Sequence, residues 1–260
     1  MYYCCGITEK GMPDHNEDAM LLHRAVRTDG ALQIAAEAPF LAAVSDGVSG
    51  AAAGEVASET CLKLLSAVRF SKKTNLKRRI LDIHAEITAM SRKQEELGDM
   101  QATLCGFGVD ESHALHLFNV GDSRLYRLRG GVLEQLSRDQ TLVQMLYEEG
   151  TLTEDEKKTH THRHIVLSVI GNPDSTPKPE VSVLPEGMLP GDLILACTDG
   201  LTEYASDREI MSILAEPIPL PDRLEALVRL ALRKGAADNI TVIAAVRYPE
   251  GVPLPPCERM

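Results

Sequence analysis

Apolar and polar positions along this chain follow two rhythms. Short apolar or alternating runs near 2–8, 17–23, 31–36 and 39–45 predict strands. After Gly50 the rhythm lengthens. In "AAAGEVASETCLKLLSAVRF", Val56, Leu62 and Leu65 stand among small residues and predict a helix. Leu76, Ile80, Ile83 and Ile87, spaced by threes and fours, predict another over roughly 74–96. Strand rhythm returns at 102–110, 113–123, 124–131 and 132–137, with Gly130-Gly131 as a hairpin signal between the last two. Residues 139–158 read as polar and helical, interrupted at Gly150, and 160–180 as irregular. Strands follow at 181–184 and 192–198, helices at 207–215 and 220–234, and a last strand at 240–247.

Strands joined by tight turns, with helices in two groups, predict an α+β fold of antiparallel sheets with helices layered outside. A doubly wound nucleotide fold would need regular βαβ alternation and a glycine-rich first turn, and neither is in the sequence. With no internal repeat or Pro/Ser linker, residues 1–260 read as a single domain.

Composition narrows the function classes. No apolar stretch approaches the ~20 residues that cross a bilayer. "MYYCCGITEKGMPDHNEDAM" lacks the basic start and apolar segment of a signal peptide, so a cytoplasmic protein without membrane association is expected. The cysteines (Cys4, Cys5, Cys61, Cys105, Cys197, Cys257) form no CxxC pair, and most lie in apolar runs, as free thiols do. The net charge of −11 argues against nucleic-acid binding. The basic run "SKKTNLKRR" (71–79) reads first as a solvated helix face, with a local docking patch as the alternative.

The acids carry the chemistry. "HNEDAM" (Asn16, Glu17, Asp18), "VSDGVSG" (Asp46), "VGDSR" (Asp122), "CTDGL" (Asp199) and "AADNITV" (Asp238) each lie where an apolar run ends or a tight turn begins. Any one Asp-Gly is first a turn dipeptide, and Asp29-Gly30, flanked by polar sequence, is read as one. Buried carboxylates facing one another repel and lose hydration, and cations remove that penalty. Oxygen-only ligation points to a hard ion, Mg²⁺ or Mn²⁺. The glycine after Asp46 and after Asp199 is expected to allow a sharp turn.

In the order NED, DG, GDSR, DG, DN, the chain resembles the metal-dependent protein phosphatase family (type 2C), in particular its compact bacterial members. "ATL" (102–104), "LSRDQTLVQMLYEEGTLTEDE" (136–156) and "GAADNITVIAAV" (235–246) extend the resemblance over nearly the whole chain. It implies a four-layer α/β/β/α sandwich with two central antiparallel sheets. It also implies hydrolysis of phosphoserine or phosphothreonine in proteins by a water activated between two divalent ions. By resemblance, Asp46 bridges two Mg²⁺ or Mn²⁺ ions, with the Gly47 carbonyl on one, and Asp199 and Asp238 ligate the other. Glu17 and Asp18 fall in the segment whose acids hold metal-bound waters or contact the metals. Asp122 and Asp199 match the positions of a third, weaker metal, and Asn239 helps place Asp238. The implied catalytic set is Asp18, Asp46, Asp199 and Asp238. The implied partner is a phosphorylated protein made by a Ser/Thr kinase, met by a monomer.

Two departures matter. The family's phosphate-gripping arginine, three residues before the Asn of the first motif, is Pro13 here. A bidentate guanidinium is not replaced by proline, so weaker phosphomonoester binding or a partner-restricted substrate is expected, with Lys10 or an arginine from elsewhere as the candidate substitute. Val48 occupies the position of a general-acid histidine in eukaryotic relatives, which bacterial members commonly lack. Residues 139–172 resemble the flap over the bacterial active site. In "HTHRH", His160, His162 and His164 are read as structural or substrate-facing rather than metal-binding, and His160 and Arg163 match flap positions that could touch substrate.

The remaining residues have plainer readings. Met20, Met100 and Met145 are expected to pack. His84 and His113 read as core-edge or exposed. Arg124 is expected to form a structural salt bridge. Ser45 and Thr198 are expected to satisfy neighbouring backbone or carboxylate groups. A weakly active or non-catalytic phosphoprotein-binding module of the same fold is the alternative, motivated by Pro13. A Mg²⁺-dependent nuclease is disfavoured by the charge.

Overall fold

The computed structural model describes residues 1–48, 53–93, 100–249 and 251–259. One sheet takes β4 (Gly30–Ala36), β1 (Tyr2–Glu9), β12 (Ile240–Arg247), β11 (Leu193–Cys197), β8 (Arg124–Arg129) and β9 (Val132–Gln135) in that spatial order, with β13 (Glu258–Arg259) outside β4. The other runs β10 (Glu180–Leu184), β7 (Leu115–Val120), β6 (Leu104–Val109), β5 (Phe40–Asp46), β2 (Asp18–Leu22) and β3 (Ala25–Arg27). Helices α1 (Gly54–Ser66) and α2 (Leu76–Ser91) cover the second sheet, and α6 (Asp207–Leu214) and α7 (Leu220–Arg233) cover the first. This is the four-layer sandwich implied by the sequence. Among the described residues, the short β13–β4 pairing alone runs parallel.

Alternation explains why these strands sit in the middle. Tyr2 and Cys4 enter the core between the sheets, together with Met20, Phe40 and Ile243. Their neighbours Tyr3 and Cys5 face the opposite way, against Leu224, Leu227 and Ala231 of α7. Leu21, Leu41 and Ala43 likewise point outward to Cys61, Leu62 and Leu65 of α1. A strand buried on both faces must be apolar at both parities, so β1, β2 and β5 read as continuous apolar runs. Five of the cysteines are buried free thiols within these layers, and Cys257 is half-buried.

Several boundaries differ from the sequence reading. The strand expected at 17–23 ends at Leu22 and turns through His23, at φ 57°, into the unforeseen β3. The helix expected over 74–96 starts after its cap, where the Asn75 side chain accepts from the Arg78 amide. It ends at Ser91, while 94–96 lie outside the described residues. The polar stretch 139–158 resolves into α3 (Leu142–Glu148), capped by Thr141, and α4 (Glu154–Thr159), closed by a Thr153/Glu156 capping box. Met145, expected to pack, is 36% exposed, because α3 buries only Val143. Met20 and Met100 are fully buried. Among the described residues, no helix is long and apolar enough to cross a membrane.

Candidate metal centre

The acids are delivered by the ends of central strands. Asp18 opens β2 and Asp46 closes β5, and the two are direct cross-strand partners. Like charges in that register repel. Asp122 lies in the turn between β7 and β8, Asp199 begins α5 (Asp199–Thr202) directly after β11, and Asp238 precedes β12. The four-residue α5 was not foreseen, because Asp199-Gly200 reads as a turn.

Both Asp-Gly pairs have a packing cause. Neither Gly47 nor Gly200 has a positive φ, so it is space rather than a left-handed backbone that calls for glycine at each. A Cβ on Gly47 would lie 2.4 Å from the Gly54 carbonyl oxygen, and one on Gly200 would lie 1.9 Å from that of Asn239. The glycines let α1 and the 238–239 segment close in on the acids.

A polar scaffold holds the Asp46 and Glu17 backbone and the Asp18 side chain. The Asp46 amide donates to Thr103 Oγ1 (3.0 Å), and its carbonyl accepts from the Thr103 amide (2.8 Å). Thr103 Oγ1 in turn meets Ser123 Oγ at 2.8 Å, one residue after Asp122. Thr198 donates to Asp18 Oδ2 (2.8 Å) and accepts from the Thr241 amide (3.0 Å), while Ser45 donates to the Thr103 carbonyl (2.6 Å). Asn239 clips the N-terminal segment: its Oδ1 accepts from the Glu17 amide (2.8 Å), and its Nδ2 donates to the carbonyls of Lys10 (2.8 Å) and His15 (3.0 Å). Asn16 adds bonds to Thr8 Oγ1 (2.9 Å) and the Thr28 carbonyl (2.8 Å). Arg124 makes the salt bridge expected of it, holding Asp139 through both Nε and Nη2, at 3.0 and 2.7 Å.

Around these groups lies a cavity of about 570 Å³. Its wall includes Glu17, Asp46, Gly47, Asp122, Asp199, Asp238 and Asn239. Asp18 is 1% exposed and lies behind that wall. Burial, then repulsion from Asp18, Asp199, Asp122 and Asp238, holds the Asp46 carboxyl well above its ordinary value. Burial and then the Asp199 charge do the same to Asp122. Asp18 is pushed up to about 8, chiefly by burial and against the hydrogen bond from Thr198. Asp199 rises to about 6 through burial and the charges of Asp238 and Glu203. Burial, then Asp238, raises Glu17.

The donor set fits hard divalent cations. It is all oxygen, its charges destabilise one another, and Asp199 Oδ1 is buried without a hydrogen-bond partner among the described residues. A cation supplies the missing partner and reverses the repulsion.

The other candidates separate. Pro13 and Val48 line the cavity, but Lys10 does not; its Nζ reaches only the Asp14 carbonyl, at 3.5 Å. His160 lines neither this cavity nor its neighbour, because its Nδ1 accepts from the His162 amide (3.1 Å) and the two rings pair at 5.6 Å. Arg163 lines an adjoining cavity of about 160 Å³ that shares Asp122 and Asp199 with the first. His15, which the sequence reading did not single out, and His164, read there as structural or substrate-facing, stand on the main wall. His15 carries no motif signal beyond its place beside Asn16. For His164, alternation in "HTHRH" gave no means of choosing among three histidines.

Residues 16–235 match the family model described as Protein phosphatase 2C. Serine/threonine phosphatase stp of Listeria monocytogenes (serotype 4b, strain F2365) is 32% identical over 213 residues, 78% of this chain and 83% of that protein. Serine/threonine protein phosphatase PstP of Mycobacterium tuberculosis (strain CDC 1551 / Oshkosh) is 32% identical over 210 residues, 79% of this chain but 40% of that protein. The chain therefore spans under half the length of that mycobacterial relative. The crystal structure of the catalytic domain of PstP in complex with two manganese ions superposes with a TM-score of 0.76 at 27% identity, covering 96% of this chain and 100% of that one.

Proposed function

The chain belongs to the protein phosphatase 2C family, and from that premise we propose that it hydrolyses phosphoserine and phosphothreonine in proteins with the help of divalent cations. One observation carries the reading: four aspartates from distant strand ends, with Glu17, meet around one cavity wall, and a buried Asp199 oxygen there lacks a partner. Asp46, the Gly47 carbonyl, Asp199 and Asp238 would hold two Mg²⁺ or Mn²⁺ ions, with Glu17 and Asp18 behind or beside them and Asp122 toward a third position. Bound there, such ions neutralise charge on the phosphoryl oxygens and make water nucleophilic near neutral pH.

The chain's own residues do the orienting. Thr198 and Thr103 fix the directions of the Asp18 side chain and the Asp46 backbone. Asn239 sets the height of the Glu17 segment. With proline at position 13, the phosphoryl group needs another guanidinium. Arg163 has no hydrogen bond or ion pair of its side chain among the described residues and borders Asp122 and Asp199, so we assign it that role. Lys10 and His160 have no comparable support. Residues 139–172, which carry Arg163, would act as the flap of a single domain, and the substrates would be products of a Ser/Thr kinase.

The test is phosphate release from p-nitrophenyl phosphate and a phosphothreonine peptide, with Mn²⁺ and with a chelator. Metal-dependent release that disappears in Asp199→Asn is expected. No turnover at full metal occupancy would favour the phosphoprotein-binding module instead.

A further inference from the structure

The basic run "SKKTNLKRR" has two readings, a solvated helix face and a docking patch, and its surroundings favour the second. Residues 60–81 hold seven Lys or Arg and no Asp or Glu, in a chain whose net charge is −11. Three of those cations are paired along the helices: Lys63 with Glu59, and Arg78 and Arg79 with Asp82. Arg69, Lys72, Lys73 and Lys77 are exposed, and their side chains have no hydrogen bond or ion pair among the described residues. Arg24, in the β2–β3 turn, is exposed and unpaired in the same way, and it meets Arg69 on a cavity of about 290 Å³. A second cavity, of about 470 Å³, shares Arg69 with the first and reaches Arg79 on α2. Its acids are Asp82, already paired, and Glu86. We propose that the face carrying Arg24, Arg69, Lys72, Lys73 and Lys77 docks an extended acidic segment of the phosphoprotein substrate, remote from the phosphorylated residue.

The loop that presents these cations is firmly built. Phe70 is buried with its ring edge-on to His116, at 5.2 Å between centroids, and His116 is held in turn by Asp110 at 2.9 Å. The Ser71 amide donates to Thr74 Oγ1 (2.9 Å), and the Thr74 amide donates to the Ser71 carbonyl (2.9 Å). Glu111, the acid at the edge of the face, accepts from the Lys72 amide (3.0 Å), which leaves the Lys72 ammonium unpaired. Cations on a fixed backbone lose less freedom when a partner binds.

Charge and position select the occupant. A chain that is acidic elsewhere repels acidic segments, so opposite charge steers them to this one face. Among the described residues, no exposed large apolar side chain lies in 20–28 or 60–83, so nothing here would anchor a bilayer. Asp18 and Asp46 are partners at one end of β2 and β5, while Leu22, Phe40 and the Arg24 turn lie at the other. Phe40 and Asp46 end the same strand, about 20 Å apart, so more than about six extended residues must separate the phosphoryl group from the acidic stretch. None of the five cations lines either cavity beside the acids. A second attachment of this kind supplies binding that Pro13 withholds at the phosphoryl group. The proposal rests on the phosphatase reading only in taking the segment as part of a substrate.

The test uses a labelled phosphothreonine peptide with about six glutamates placed about ten residues from the phosphothreonine, and a twin with serines in their place. Fluorescence anisotropy with the chelated, full-length chain at low salt reads docking without turnover. The expected result is a Kd about 10-fold lower for the acidic peptide, lost when Arg24→Gln, Arg69→Gln, Lys73→Gln and Lys77→Gln are combined. Combining Arg208→Gln, Arg229→Gln, Arg233→Gln and Lys234→Gln makes the same change in net charge on the opposite helical layer and should keep the preference. With Mn²⁺ present, the glutamates should lower KM by a similar factor and leave kcat unchanged. Equal affinity of the wild type for the two peptides, a preference that survives the first variant, or one lost in the second overturns the proposal. So does binding to phosphatidylserine vesicles, lost in the first variant, without any preference for the acidic peptide. Phosphate release from p-nitrophenyl phosphate reads the metal centre separately. Turnover without a peptide preference sinks the docking face and leaves the phosphatase reading standing; a preference without turnover does the reverse.

Discussion

The floor and the side wall of the cavity are built by opposite means. The floor is made of strand ends: Asp18, Asp46 and Asp199 are set by sheet register and by buried hydroxyls, and their charges oppose one another. The wall from 139 to 166 is largely exposed. Caps, the ion pairs Arg124–Asp139, Arg138–Glu148 and His164–Glu203, and short backbone links hold it, and little apolar surface does. The floor thus holds opposed charges inside a rigid frame, while the wall is lightly packed and its lysines pair with nearby acids at the surface. A rigid frame can hold groups that repel, because sheet packing makes their separation costly. A lightly packed segment can change its contacts at little cost.

The largest effect expected from breaking the floor is at Asp46. Asp46→Asn should lower phosphate release about 100-fold or more, since a charge aimed at the reacting centre is lost. The same change should raise the melting temperature of the chelated protein, because it removes a buried repulsive charge. Loss of activity with a lower melting temperature would mean that Asp46 is structural.

The second expectation is a pH dependence. Asp18 and Asp199 rise from an ordinary 3.8 to about 8 and about 6 in the folded chain. The folded state thus holds protons that the unfolded state releases, and chelated protein should lose stability as pH climbs from about 4 to about 8. Saturating Mn²⁺ should flatten that slope, since cations favour the charged carboxylates. Urea melts across this range, with and without metal, measure both.

Gly200→Ala sharpens the geometric side of the comparison. Its Cβ would meet the Asn239 carbonyl at 1.9 Å, so destabilisation of about 1–3 kcal/mol is expected, with the Glu17 clip disturbed. An unchanged urea midpoint would show that the close approach is not required. The wall gives the smallest effect. Arg163→Ala should raise KM about 10-fold with kcat nearly kept, the loss of one charge-assisted hydrogen bond to a phosphoryl group. A fall in kcat with KM unchanged would place Arg163 outside substrate binding.

Much of the floor was legible because it obeys local rules. Apolar runs stopping at Asp46 and Asp199 marked strand ends, and the ordered acids marked one site. The wall was less legible. Short capped helices such as α4, which buries no residue, leave only a faint periodic signal, and the direction of His160, His162 or His164 depends on neighbours remote in sequence. The packing roles of the two glycines were hidden for the same reason, because their neighbours Gly54 and Asn239 come from other elements.

The sequence by itself determined the layers, since a strand buried on both faces must be apolar at both parities, and it determined which residue types could carry cation chemistry. Tertiary structure alone decided that Asn239 fastens the segment before Glu17, that Gly200 lies beneath a carbonyl, and that His164 rather than His160 faces the acids. Those outcomes are contacts between distant parts of the chain, and composition and period describe only what each part presents, not what it meets.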